Sequence, residues 1–301
     1  MTFTITGRQC KKALESCQAE IERLDKLFSV TDSDSEISRI NASSGEYIAV
    51  CEDTLEIIRD ALVTAKTSDY LFDITIQPIV DAWGFYTKEY LVPSQEKIDS
   101  LLEYVDAKEI DIKGDKIKVG KGQKVDLGGI AKGYLSDRIY DILMGYDIKS
   151  AVVSLGGSIL VVGHKDDGSL WRIGLEDPFK ESMYIGILET SDISVVTSGD
   201  YERYFYENGI KYHHIFDPTT GYPVDNSLVS VTIVMLSGTK AEVFSTALFV
   251  MGEERAIEYW RKYGEFEMIL INEARQVIIT PNLKEMFSLT STEDYELIIL
   301  T

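Results

Sequence analysis

The sequence predicts an α+β protein of 301 residues folded as one intertwined unit, with a helical and a sheet lobe as a variant of that division. Strand-like and helix-like segments follow one another too irregularly for a doubly wound parallel sheet. A strand-rich stretch occupies Ser150 to Thr197. No internal repeat, low-complexity linker or charge block marks a boundary. Apolar content of 45% and charged content of 27% suit a globular chain able to bury a substantial core. The 30 basic and 50 acidic residues give a net charge of −20, spread along the chain. That argues against general binding of nucleic acid or anionic membrane. A phosphate ester would need a local device, such as a metal or a helix N-terminus, to overcome the acidic field. Cys10, Cys17 and Cys51 form no Cys-x-x-Cys and no Cys/His cluster, so they read as ordinary thiols. No window reaches the length of a transmembrane helix, and no signal peptide is visible.

After a strand-like T-F-T-I-T, Lys11–Phe28 reads as an amphipathic helix with Leu14, Cys17, Ile21, Leu24 and Phe28 on one face. Ser29–Asn41 is dense in cap and turn residues and predicts a loop entering a short helix near Ser35, with Arg39 and Asn41 placed to face a ligand or solvent. Asp53–Ser68 predicts a helix opened by a capping box of Asp53 and Glu56. Leu71–Phe85 interleaves aromatics, a proline and two acids, a pattern suited to lining a planar ligand or wrapping a core. A helix at Ser94–Val105 and a charged hairpin around Gly114-Asp115 follow.

Lys124–Tyr134, K-V-D-L-G-G-I-A-K-G-Y, predicts a short strand ending in Asp126, a glycine turn and a helix running to about Gly145. The turn leaves room for a ligand, the opening helix aims N–H groups at it, and Lys132 in the first turn can neutralise a phosphate. The plainer alternative is a corner with Asp126 as its cap. Walker A and Gly-x-Gly-x-x-Gly patterns are absent. Two β segments around Gly156-Gly157 lead into the strand-rich stretch. In Lys211–Pro223 the adjacent His213 and His214 would face opposite ways on a strand, with Asp217-Pro218 starting a turn. After a strand at Val229–Met235, a helix from about Lys240 to Met251 places Glu242, Ser245 and Thr246 on one face. Those oxygens read either as a Mg²⁺ site or as a capped, back-bonded first turn. The chain closes with a helix at Glu253–Tyr263, a hairpin (Phe266–Ile271, Gln276–Thr280), a short helix at Asn282–Phe287 and a strand at Tyr295–Leu300.

Seven segments in order resemble the ApbE family of flavin transferases, which move FMN from FAD onto a threonine of a target protein. They are S-E-I-S-R-I-N (Ser35–Asn41), F-D-I-T-x-x-P-x-V-x-x-W-G-F (Phe72–Phe85), V-D-L-G-G-I-A-K-G-Y (Val125–Tyr134) and L-G-G (Leu155–Gly157). T-S-G-D-Y-E-R (Thr197–Arg203), H-H-I-F-D-P-T-T-G (His213–Gly221) and A-E-V-x-S-T-A-L-F-V-x-G (Ala241–Gly252) complete the series. The resemblance implies an ApbE-type α+β fold whose mixed sheet core is related to the T-fold. It implies FAD as substrate, lying across Asp126 and Lys132, with its rings against Asp81, Ala82 and Trp83 and near Ile215. Asn41 and Arg203 join that binding set. Mg²⁺ would be held by the Gly129 carbonyl and by Glu242, Ser245 and Thr246.

Asp126, His214 and Asp217 are the catalytic candidates, either of the last two accepting the threonine proton or merely shaping the site. The partner is an acceptor protein carrying a threonine motif that this chain lacks. The family usually has aspartate at Glu242 and an acid or amide at Ser158. Relatives commonly carry an export or lipoprotein signal, so an extracytoplasmic, membrane-anchored full-length form is expected, with a cytoplasmic one left open. Rival readings are an FAD pyrophosphatase using the same residues and a flavin carrier without turnover. The sequence leaves the oligomeric state and the acceptor's identity open.

Overall fold

The computed structural model describes residues Met1–Thr301, which divide into two compact units. The first comprises Met1–Glu20, Lys132–Tyr201 and Asn226–Thr301, and the second Ile21–Ala131 and Glu202–Asp225. No helix is long and apolar enough to cross a membrane.

The first unit is built on an eight-stranded mixed sheet flanked by helices. Its strands are β1 (Thr2–Thr6), β2 (Ser150–Ser154), β3 (Ser158–Gly163), β4 (Ile193–Gly199), β5 (Leu228–Met235), β6 (Glu267–Asn272), β7 (Gln276–Ile279) and β8 (Glu296–Ile299). Spatial order follows chain order. Every neighbouring pair is antiparallel except β7 and β8, which run parallel. All residues of β5 are buried, so V-S-V-T-I-V-M reads as a near-continuous apolar run rather than an alternating one. The helix Gly238–Met251 packs against β3, β4 and β5. Val161, Val195, Val234, Ile269 and Ile271 instead join a core shared with a second, three-stranded sheet (Trp171–Glu176, Tyr184–Thr190, Phe287–Leu289).

That second sheet corrects the short helix expected at Asn282–Phe287. A 3₁₀ turn spans Pro281–Glu285, and Phe287 then starts a strand paired with Leu188. Gly186 makes room for the Phe287 ring, which a Cβ there would meet at 2.2 Å. The helical pattern is thus kept over Pro281–Glu285, and only its end is lost, where Phe287 is buried in the sheet.

The second unit carries the helices Glu36–Ala42, Glu52–Thr67, Gln77–Ala82 and Gln95–Leu102. A three-stranded sheet (Ile48–Ala49, Lys116–Lys118, Asp111–Lys113) and a hairpin (Tyr204–Glu207, Ile210–His213) complete it. Its aromatic core centres on Trp83, which is fully buried among Phe205, Tyr212, Phe216 and Tyr222 at ring distances of 5.2 to 6.4 Å. The expected capping box of Asp53 and Glu56 does not form. The cap position is Cys51, whose N–H donates to the Glu36 carboxylate at 3.1 Å, while Thr54 Oγ1 donates to it at 2.5 Å. Asp53 instead pairs with Arg23 at 2.9 Å. A carboxylate from another helix thus serves this N-terminus. The first helix is Cys10–Phe28, and it buries Ala13 and Cys17 while Leu14, expected inward, is exposed.

Candidate functional site

In the first unit, the helix Ala131–Gly145 crosses the helix Gly238–Met251 at a glycine pair. A Cβ on Gly133 would lie 2.2 Å from the Gly238 carbonyl oxygen and 2.8 Å from Glu242 Cβ. Asp137, one turn on from Gly133, caps the second helix. Its carboxylate accepts from Gly238 N at 2.6 Å, Thr239 N at 3.0 Å and Thr239 Oγ1 at 2.7 Å. The N-cap itself is Ser237, whose Oγ accepts from Lys240 N at 3.3 Å, so the helix starts at Gly238, earlier than the Lys240 expected. The close crossing sets Lys132 beside Glu242, Nζ to Oε1 at 2.7 Å.

The β2–β3 turn supplies the other side. Gly156 and Gly157 have φ of 77° and 84°, a left-handed pair that glycine adopts without strain. The turn delivers Ser158 Oγ, which donates to Glu242 Oε2 at 2.5 Å, and the Gly156 carbonyl, which accepts from Lys132 Nζ at 3.3 Å. One helical turn beyond Glu242, Ser245 Oγ lies 2.8 Å and Thr246 Oγ1 3.3 Å from Ser198 Oγ on β4. Both hydroxyls also back-bond the Glu242 carbonyl, at 2.9 and 3.4 Å. The back-bonds of the capped-turn reading form, and the carboxylate and hydroxyls share one face. Glu242 and Ser245 are buried.

In the second unit, Asp126 sits in an extended segment with no strand, contrary to expectation. The Asn41 side-chain amide takes the place of a neighbouring strand. Its Oδ1 accepts from Val125 N at 2.6 Å, and its Nδ2 donates to Val125 O at 2.9 Å and to Gln77 Oε1 at 2.7 Å. Asp126 N donates to Ile74 O at 2.7 Å. The Asp126 carboxylate accepts from Gly128 N at 2.8 Å and from the Tyr86 phenol at 2.5 Å. Burial raises its pKa above the ordinary carboxylate range, while the Tyr86 and Gly128 donors and the Arg203 charge oppose that rise. Burial, then the Asp126 charge, pushes the Tyr86 phenol up as well. Gly128 and Gly129 are glycines for packing. A Cβ would meet Asp126 Oδ1 at 3.1 Å in the first case and the Phe72 ring at 3.0 Å in the second.

The remaining candidates of this unit fall in differing places. Trp83 spends its indole N–H on the Gly221 carbonyl at 3.0 Å, so its ring is core. Asp81 is exposed and pairs with Lys124 at 3.4 Å, Ala82 is half-buried, and Ile215 is buried. Of the two histidines, His213 is buried, with Nε2 on Val224 O at 2.9 Å. His214 is more open, its Nδ1 lying 3.3 Å from Arg203 O. Asp217 Oδ1 is taken by Thr219 N at 2.7 Å and Thr219 Oγ1 at 2.6 Å, a turn-closing role.

Tyr86, Ser198 and Asp137 were not singled out in the sequence. Ser198 had a readable signal, the S-G that ends a buried strand. The other two are known only through distant partners.

Such a fold and donor set define an α+β protein with a carboxylate-and-hydroxyl helix face beside a lysine. The model of the ApbE family matches residues 1–270. An FAD:protein FMN transferase of Klebsiella pneumoniae (strain 342) is 32% identical over 273 residues, 89% of this chain and 84% of the relative. One from Vibrio cholerae is 35% identical over 252 residues, covering 81% and 75%. Among solved structures, the ApbE protein of Thermotoga maritima superimposes with a TM-score of 0.87 at 33% identity, over 94% of each chain. The flavin transferase ApbE of Vibrio cholerae gives 0.84 at 30%, over 94% of this chain and 92% of that one. The chain belongs to the ApbE family and is a transferase.

Proposed function

We propose that this protein moves the FMN half of FAD onto a threonine hydroxyl of another protein, with Mg²⁺ bound and AMP as the leaving group. The names of its relatives support flavin transfer from FAD to protein. The observation that carries the metal part is the donor set of Glu242, Ser245, Thr246 and the facing Ser198, which is all oxygen. A hard divalent cation such as Mg²⁺ prefers such ligands over nitrogen or sulfur. Glu242, Ser245 and Thr246 would hold it. When bound, it supplies positive charge to phosphate oxygens as negative charge develops on them.

The chain's own residues do the rest. Lys132, on a helix fixed by the Gly133 crossing, offers an ammonium to the diphosphate. Asp126 offers a carboxylate to a ring N–H of the ligand in place of the Tyr86 phenol. The Asp81–Trp83 segment contributes backbone and the Ala82 methyl, since the indole is core. The threonine oxygen forms a bond to the FMN-side phosphorus while the bond from that phosphorus to the AMP oxygen breaks, and AMP leaves with the electron pair. His214 takes the hydroxyl proton in this reading, being the more open ring nitrogen site, while Thr219 engages Asp217 Oδ1. A positioned base of this kind contributes about 10²–10⁴-fold.

The test is incubation with FAD and Mg²⁺, with and without a threonine-bearing acceptor peptide, followed by mass. Acceptor gaining one FMN residue, lost with EDTA, is the expected result. Free FMN and AMP with an unlabelled acceptor would make the protein a pyrophosphatase. Bound FAD with neither product would make it a carrier.

A further inference from the structure

We propose that Lys132 is an internal counter-cation that keeps Glu242 closed to divalent metal until the diphosphate of the substrate draws it away, so that metal binding follows substrate binding. The inference rests on the reading of FAD as substrate and of the Glu242 face as the metal site. The Lys132 ammonium lies 2.7 Å from Glu242 Oε1 and 3.3 Å from the Gly156 carbonyl. Ser158 occupies the other carboxylate oxygen at 2.5 Å. Glu242 side-chain exposure is 6%, against 29% for Lys132, so the carboxylate is fixed in the protein while the lysine reaches it from a more open side.

A divalent ion and an ammonium on one buried carboxylate repel each other strongly where water is scarce. Either cation can neutralise Glu242, and in this structure the lysine sits on it. Its flexible stem and its three donors can be satisfied as well by phosphate oxygens as by a carboxylate and a carbonyl. A diphosphate therefore frees Glu242 by giving Lys132 another partner. By linkage, metal and diphosphate then strengthen each other's binding by the same factor.

The experiment is a titration of Mn²⁺, followed by its electron paramagnetic resonance, into the whole protein with and without FAD and with no acceptor present. Wild type alone is expected to bind Mn²⁺ at least tenfold more weakly than with FAD. Lys132→Met is expected to bind it at least tenfold more tightly than wild type without FAD, while Lys132→Arg stays near wild type. Equal affinity of wild type and Lys132→Met without FAD would overturn the proposal and leave the metal site standing. No Mn²⁺ binding by any of these, with or without FAD, would remove the metal reading and the proposal together. A second measurement needs no variant: the ¹⁵N signal of the Lys132 ammonium should move on adding FAD in the absence of metal. An unmoved signal from FAD-bound protein would also overturn it.

Discussion

The Glu242 face and the Asp126 turn solve one problem, presenting a carboxylate, by opposite means. Glu242 rides on a helix whose position is set by backbone against backbone at Gly133 and Gly238, with Asp137 fixing the helix start. Asp126 stands in chain without regular structure, held by side chains: Asn41 on the residue before it and Tyr86 on the carboxylate itself. In the first region the ladder and helix bonds position the group. In the second, single polar side chains act beside two backbone bonds, to Ile74 O and from Gly128 N, and each side chain can be removed alone. Both carboxylates are met by a donor from their own unit, Lys132 in one case and Tyr86 in the other.

If the two regions differ in this way, the largest damage comes from the helix crossing. Gly133→Ala forces a methyl into the Gly238 carbonyl, and we expect a loss of about 3 kcal/mol or more in thermal unfolding, with transfer abolished. A melting curve like wild type would mean that the helices can move apart and that the crossing does not position Glu242. Next is Glu242→Ala, which should leave the fold in place but lower FMN transfer about a hundredfold or more, read as labelled acceptor per minute. Near-normal labelling would detach this face from the chemistry.

Asn41→Ala removes both bonds to Val125, whose side chain is buried. It should cost about 2 kcal/mol and weaken FAD binding, while the metal affinity of the Glu242 face stays unchanged. A parallel loss of metal affinity would erase the distinction between the regions. The smallest effect is that of Tyr86→Phe, at about 1 kcal/mol or less. It deletes a bond that favours ionised Asp126, so the Asp126 pKa should rise further, as followed by carboxyl carbon resonance. The sign for stability follows from burial. Because the folded pKa lies above the ordinary 3.8, the contribution of Asp126 is complete below that pH and is lost as pH climbs through the raised value. The variant should extend that loss to higher pH. An unchanged or lower pKa would show that the phenol does not act on the carboxylate.

The same contrast explains what could be read from the chain. Glu242, Ser245 and Thr246 were legible as one face because helical spacing is a local property. The β2–β3 turn was legible because Gly156-Gly157 stands between two β-patterned segments. The contact of Lys132 with Glu242 was not, since it depends on two helices approaching at glycines far apart in sequence. The strand expected before Asp126 failed for a related reason: its apolar pattern was present, but its ladder partner is the amide of Asn41. Asp53 and Glu56 had the local form of a capping box, and Glu36 on another helix supplanted it. The Leu71–Phe85 segment read as either ligand lining or core wrap, and the Trp83 ring takes the second part as the centre of an aromatic core.

The sheet's own order has a consequence for how the chain is made. Strand β1 pairs with β2, Thr2 opposite Ser154, and the Ile21–Ala131 part of the second unit is synthesised between them. At about 5–20 residues per second, β1 waits on the order of ten seconds for its partner. During that time T-F-T-I-T is an unpaired edge of high β-propensity carrying no charge, the kind of segment that chaperones hold and that aggregates when they do not.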